Sequence, residues 1–191
     1  MKELLQKIIE LGSDPSQSAL YLLLDNIDLS KLNYHKYLDL SFKGAYNRIH
    51  LLNGPAEVIL MYWPAMAESA IHQHHEFWGY VKNLEGFLTE RSFEFDDSIL
   101  KYTGTTDYTV GSVLFEKENA VHQIINLSKV NPLITLNIYY PPHRNLEGTK
   151  IFDTKNKSIA ILNNHASSVS WENPRENFKD VIQNAFDYEE L

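Results

Sequence analysis

From Tyr46 onward the chain is a succession of short runs rich in Val, Ile, Thr, Phe and Tyr. They are interrupted by turn-forming residues at Gly54, Pro64, Gly86, Asp96, Gly104, Gly111, Asn131 and Pro141. β-Branched and aromatic runs punctuated in this way read as strands, and many short strands in succession make an antiparallel barrel or sandwich. The candidate strands are Tyr46 to Leu52, Glu57 to Trp63, Ser69 to His74, Trp78 to Leu84, Phe87 to Phe95, Asp107 to Val110, Ser112 to Phe115, Val121 to Asn126 and Leu133 to Tyr140. Two more are expected at Thr149 to Asp153 and Lys157 to Leu162.

The ends of the chain read differently. Leu4, Leu5, Ile8 and Ile9 recur with helical spacing, and Asp14 followed by Pro15 predicts a helix start through Leu20, Leu23 and Leu24. A short third helix is expected from Leu29 to Leu40. Near the C-terminus, Asn173, Pro174 and Glu176 form a cap signal before an i, i+3, i+4, i+7, i+8 stripe of Phe178, Val181, Ile182, Ala185 and Phe186. The stripe predicts a C-terminal helix docked on the barrel. The 191 residues fit one domain, divided into a helical leader (1–44), a β-barrel (45–162) and a C-terminal tail with its helix (163–191).

Composition narrows the function. With 43% hydrophobic and 22% charged residues the chain has apolar material for a core. A net charge of −8, with no basic stripe, makes nucleic acid a poor partner. No run approaches the roughly 18 apolar residues of a membrane span, and the charged opening from Met1 to Leu11 lacks a signal-type apolar stretch. A cytoplasmic protein without a membrane partner is therefore expected, and a monomer. The chain has no cysteine, so any metal must rest on His, Asp or Glu.

Among the eight histidines, His72 and His74 stand out. Alternate residues of a strand share a face, with Cα atoms roughly 6.5 to 7 Å apart, so two imidazoles can hold one metal. His-x-His alone occurs by chance, but the positions of Gly79 and Gly86 after it follow the spacing of the first cupin motif. Gly79 occupies the place of the motif's ligand Glu. Downstream, Gly111, then Lys117-Glu118-Asn119, His122 and Asn126 follow the second cupin motif, with Lys117 and Asn119 replacing its Pro and Gly. Together the two spacings imply a mainly β fold, the cupin double-stranded β-helix (jelly-roll barrel), holding one metal on His72, His74 and His122. His75 adjoins the pair but alternation turns it away, and with Glu76 it reads as surface. Three neutral imidazoles leave a dication uncompensated, with open positions suited to non-haem Fe(II); zinc or nickel also accept such ligands.

The runs Tyr46-Asn47-Arg48, Ile59 to Pro64, Ile71-His72-Gln73-His74, Leu84-Glu85-Gly86, Val121-His122 and Leu136 to Pro142 resemble the cysteine dioxygenase type I family in order and separation. The resemblance implies an Fe(II) cofactor on His72, His74 and His122, with O₂ and a small thiol as reactants and L-cysteine converted to cysteine sulfinate. It implies that Arg48 binds the substrate carboxylate, as a guanidinium can do through charge-assisted contacts, with Tyr46 on the same strand face in support. Tyr139 matches the family's active-site tyrosine, and Trp63 a neighbouring tryptophan read as packing. Gly79 stands where some members carry a cysteine cross-linked to that tyrosine, so the cross-link cannot form here.

A second departure concerns the tyrosine's surroundings. Asn137 replaces the family histidine that hydrogen-bonds it, with Thr135 in place of a serine. Asn can hydrogen-bond but cannot carry a proton as imidazolium. Trp78 and Phe77 are expected to shape the pocket. His50 reads as a rim residue, and His35, His143 and His165 as residues without ligand spacing. Three other readings compete. One is dioxygenation of another thiol carboxylate such as 3-mercaptopropionate. The others are a non-catalytic metal-binding cupin, and a cupin isomerase or zinc enzyme.

Overall fold

In the computed structural model, residues 1–42 and 44–190 are described, and Lys43 and Leu191 lie outside the described residues. Two curled sheets face one another. The first has the order β1 (Asn47–Asn53), β2 (Glu57–Trp63), β9 (Leu133–Tyr140), β4 (Trp78–Glu85) and β7 (Val113–Glu116). The second has the order β12 (Phe178–Ile182), β11 (Ser158–Leu162), β10 (Lys150–Asp153), β3 (Ile71–Gln73), β8 (Val121–Ile125), β5 (Leu88–Phe95), β6 (Ile99–Tyr108) and β13 (Asp187–Glu189). Neighbours are antiparallel except β13, which runs parallel to β6. The fold is mainly β, the double-stranded β-helix expected from the spacing.

Strand alternation sorts the core into layers. On β2, Ile59, Met61 and Trp63 point between the sheets, while Val58 and Leu60 point outward. The outward layer is covered by α1 (Lys2–Glu10) and α2 (Gln17–Asp25), whose Leu4, Ile8, Leu20 and Leu24 pack on Val58, Leu60, Ile134, Leu136 and Ile138. The five-stranded sheet is thus buried on both faces, which is why β2 and β9 are almost continuously apolar. Ile8, Leu20 and Leu24 are fully buried, each contributing about 1.5–3 kcal/mol.

Several expected elements differ. The second helix is capped by Ser16, whose hydroxyl accepts from Ala19 N–H at 3.2 Å, so it begins after Pro15 and not at it. In place of a helix from Leu29 to Leu40 there are two 3₁₀ turns, Leu29–Lys31 and His35–Tyr37, separated by Asn33 with φ of 43°. The left-handed residue interrupts helix propagation. Strand β6 extends over Ile99–Tyr108, whereas the polar sequence Thr103 to Thr106 conceals everything before Asp107.

The C-terminal helix is not formed. After a 3₁₀ turn at Arg175–Asn177, Phe178–Ile182 becomes β12, paired antiparallel with β11, and Asp187–Glu189 adds β13 beside β6. The apolar stripe still finds the barrel: Phe178 and Val181 pack on the inter-sheet core, and Phe186 on Phe95 and Phe152. Open edges at β11 and β6 supply backbone partners that local helical periodicity cannot register.

Candidate metal and substrate site

His72 sits on β3 and His122 directly opposite it on the adjoining β8. His74 follows two residues after His72, its backbone N–H bonded to the Ala120 carbonyl at 3.0 Å. The three rings converge between the sheets, all buried, with one ligand atom from each within 4.8 Å of the others. His74 Nε2 and His122 Nε2 are 3.0 Å apart. Two donors bound at ~2.1 Å to one cation, at right angles, stand ~3 Å apart, so this spacing fits a shared metal.

Groups behind the rings aim them. His72 Nδ1 lies 3.0 Å from the Ala70 carbonyl, which requires Nδ1–H and leaves Nε2 as a lone pair. His122 Nδ1 lies 2.8 Å from the Glu90 carboxylate on β5. Burial drives the pKa values of His72 and His74 well below the ordinary range, helped by the nearby His122, so both are neutral donors. Burial opposes a charge on His122 too, but Glu116 and Glu90 together hold its pKa above the ordinary value.

The facing sheet contributes the rest. Tyr139 on β9 is buried, its ring edge-on to His74 at 6.0 Å between centroids. Its strand partner on β4 is Gly79, and a Cβ there would collide with the Tyr139 ring and the Ile138 carbonyl. The glycine that removes the expected carboxylate is thus the residue that lets the tyrosine ring close down on β4. Burial and the adjoining Glu116 carboxyl raise the Tyr139 pKa well above 10, keeping the phenol protonated. Arg48 on β1 lines the same cavity, with Nε buried and unpartnered. The Tyr46 hydroxyl accepts from Val169 N–H at 2.7 Å, and its ring stacks on Trp63 with centroids 4.1 Å apart.

Two expectations are corrected. Asn137 does not address Tyr139: its amide donates to Thr135 Oγ1 at 3.0 Å and to the Ile59 and Thr135 carbonyls at 3.3 Å. Trp63 Nε1 donates to the same Thr135 hydroxyl oxygen at 3.2 Å. Trp78 lies outside the cavity, packing against Tyr80, Phe115 and Tyr140. Because Gly79 and Val81 face inward, alternation turns Trp78 outward; Phe77 does line the cavity.

Four lining residues escaped the sequence reading. Glu116, on β7 opposite Gly79, places Oε2 at 3.5 Å from His74 Nε2 and Oε1 at 3.7 Å from His122 Nε2. Burial pushes its pKa up to about 7. Glu57 is fully buried, with Oε1 3.0 Å from His50 Nδ1 but not aligned for a hydrogen bond. His143 stacks on Phe77 at 5.0 Å, with Nε2 unpartnered. Thr149 carries an unpartnered buried hydroxyl. Among the described residues, every buried side-chain polar atom without a partner except Asn83 Oδ1 lines this cavity. Such a concentration marks a place built for a polar ligand, since unpaired buried groups cost free energy. His50 is half-exposed at the rim, and His35, His75 and His165 are surface residues.

The double-stranded β-helix and its buried three-imidazole cluster define a cupin with a candidate metal centre. The sequence matches the family described as cysteine dioxygenase type I over residues 13–154, and the chain belongs to that family. Cysteine dioxygenase type 1 of Homo sapiens is 26% identical over 176 residues, covering 84% of this chain and 79% of that protein. The Rattus norvegicus protein of the same name is 24% identical over 134 residues, covering 68% of this chain but 60% of the relative's length. Among solved structures, a Klebsiella pneumoniae protein with a double-stranded β-helix domain is 19% identical, with a TM-score of 0.47, covering 56% of this chain and 80% of that one. A cupin-superfamily sugar phosphate isomerase from Silicibacter pomeroyi is 15% identical, also at 0.47, covering 75% and 83%. No described helix is long and apolar enough to cross a membrane.

Proposed function

We propose that the chain is an Fe(II)-dependent thiol dioxygenase that converts L-cysteine and O₂ to cysteine sulfinate. The observation that carries the reading is the meeting, in one buried cavity, of the His72, His74 and His122 cluster with Arg48 and Tyr139. Fe(II) bound there would stabilise the substrate sulfur as thiolate and activate O₂. Both oxygen atoms end on sulfur, and the thiol proton is released as the sulfinate forms.

The protein residues do the remaining work. Arg48, unpartnered at Nε, pairs with the substrate carboxylate, and that ion pair in a buried cavity fixes which end of the thiol faces the histidines. Tyr46, whose oxygen already accepts from Val169 N–H, retains its own proton to donate to the same carboxylate. Tyr139, held protonated by burial and by its hydrogen-bonded neighbour Glu116, would turn its hydroxyl from that carboxyl to donate toward the reacting sulfur and oxygen. Thr135 and Asn137 lock Trp63, and through it the Tyr46 ring, rather than tuning Tyr139.

The sister reading, dioxygenation of 3-mercaptopropionate, keeps the carboxylate clamp. Turnover of both thiols is compared in wild type and Arg48→Ala. A shared clamp predicts that both fall together, whereas loss of cysteine turnover alone contradicts it. Iron retained without thiol-dependent O₂ uptake would instead favour the non-catalytic metal-binding cupin.

A further inference from the structure

We propose that Glu57 is a specificity-determining residue whose carboxylate accepts hydrogen bonds from the substrate's amino group, selecting an amino thiol acid over a thiol that carries a carboxylate alone; the inference rests on the thiol dioxygenase reading above. Glu57 is the one charged side chain of β2, whose other residues are Val, Ile, Leu, Met, Tyr and Trp. Alternation from Ile59, Met61 and Trp63 turns it between the sheets. Its direct neighbour on β9 is Tyr139, and both line the cavity of the three histidines. A carboxylate at such a position loses its hydration on folding, so packing alone does not account for it.

No protein group satisfies this carboxylate. Glu57 is 0% exposed, and neither of its oxygens has a hydrogen-bond partner. Its one ion contact among the described residues is His50, a half-exposed rim residue whose Nδ1 lies 3.0 Å from Oε1 without the alignment of a hydrogen bond. Arg48 lines the same cavity from β1, yet its Nε is also unpartnered, so the two opposite charges do not satisfy each other. Burial lowers the His143 pKa, and the foremost influence opposing it is the Glu57 charge, which places that carboxylate within electrostatic reach of the ring. His143 stacks on Phe77 at 5.0 Å and Phe77 on His74 at 4.6 Å, so a line of rings leads from the histidine cluster toward Glu57.

The lining groups match the three functional groups of an α-amino thiol acid. The histidine cluster faces the thiol and Arg48 the carboxylate. Glu116, the other buried carboxyl of the cavity, is engaged with Tyr139 and the histidines, which leaves Glu57 as the open acceptor. An amino group supplies up to three N–H donors, and those that carry positive charge make the stronger bonds to a carboxylate. 3-Mercaptopropionate has no donor to offer there, and its binding seals Glu57 in unpaired, at the desolvation cost of the buried group. Discrimination therefore comes from the penalty on the wrong thiol as well as from contact with the right one.

The test compares L-cysteine with 3-mercaptopropionate in Fe(II)-loaded wild type, Glu57→Gln and His50→Gln, reading affinity by anaerobic calorimetry beside kcat/KM. Any preference contributed by the cation is common to all three proteins and cancels between them. Glu57→Gln keeps the shape and removes the charge, and should lower the ratio of cysteine to 3-mercaptopropionate affinity by roughly tenfold or more. His50→Gln should leave that ratio unchanged. An unchanged ratio in Glu57→Gln, or equal losses for both thiols, overturns the inference and reduces Glu57 to a structural partner of His50. Selective binding of cysteine that depends on Glu57, with no sulfinate formed, refutes the dioxygenase reading and leaves the recognition standing. If Glu57→Gln does not fold, metal-depleted wild type decides: it should bind L-cysteine more tightly than 3-mercaptopropionate, and equal affinity overturns the inference.

Discussion

The Glu90 carboxylate on β5 lies 2.8 Å from Nδ1 of His122 on β8, on the side of the ring away from the other two histidines. The contact keeps a proton on Nδ1, leaves Nε2 as donor toward the cluster and stops the ring from rotating. Tyr108 donates to the other Glu90 oxygen at 3.2 Å, so the carboxylate is itself held. Glu90→Ala should weaken Fe(II) or Mn(II) binding by roughly 10–100-fold. Competition against a chelator of known affinity measures this, and unchanged affinity would show that the strand backbones alone orient the rings.

The fit between Gly79 and Tyr139 gives a steric prediction. Adding one methyl at Gly79 forces the ring or the Ile138 carbonyl to move. Overpacking of this kind costs about 1–3 kcal/mol. Gly79→Ala should lower the thermal midpoint and depress turnover even with metal fully loaded. Loss of stability with normal turnover would remove Tyr139 from the chemistry.

How far these features were readable in the sequence depended on how local their cause was. His72 and His74 share a face by strand alternation alone, and His122 was reached through the second cupin spacing, so the cluster could be anticipated. Glu116 and Glu90 could not, because their roles follow from register across β4–β7 and β5–β8, which no stretch of chain encodes by itself. The signal for Glu116 was present as a carboxylate six residues before His122, but it acquires meaning only once Gly79 is known to face it. His143 was passed over for the same reason: it leaves the strand after the Pro141-Pro142 exit and returns to the cavity by stacking on Phe77. The tail from Phe178 failed in the opposite direction. Its helical stripe was real, and pairing with the open β11 edge overrode it.

Thr135 offers a stability test inside the site. Its hydroxyl oxygen accepts from both Trp63 Nε1 and Asn137 Nδ2 in a buried setting. Thr135→Val keeps the shape but orphans Trp63 Nε1 and leaves the Asn137 amide only the Ile59 and Thr135 carbonyls. A destabilisation of about 1–3 kcal/mol is expected from denaturant unfolding, since an unsatisfied buried donor costs that much. A loss much smaller than this would mean that Asn137 finds its two carbonyl acceptors sufficient and Trp63 tolerates isolation.

Alkaline pH provides a test remote from the histidines. The Tyr34 hydroxyl donates to Glu85 at 3.2 Å, and its pKa is raised to about 12, first by burial and then by that carboxylate. A folded-state pKa above the unfolded value near 10 stabilises the fold below pH 10, and the contribution is lost as pH rises from 10 through 12. Stability should therefore decline across that window, and Tyr34→Phe should make the decline shallower. An equal slope in the variant would assign the alkaline limb to other groups, with Tyr108, also raised to about 12, the next to substitute.

The central claim is thiol dioxygenation at the three-histidine site. It is tested most directly by oxygen uptake of protein loaded anaerobically with Fe(II), with L-cysteine added and sulfinate quantified beside a His122→Ala control. The account predicts one O₂ consumed per cysteine sulfinate formed, with both signals lost in the control. Iron held at the site with no sulfinate from cysteine or from 3-mercaptopropionate would contradict it.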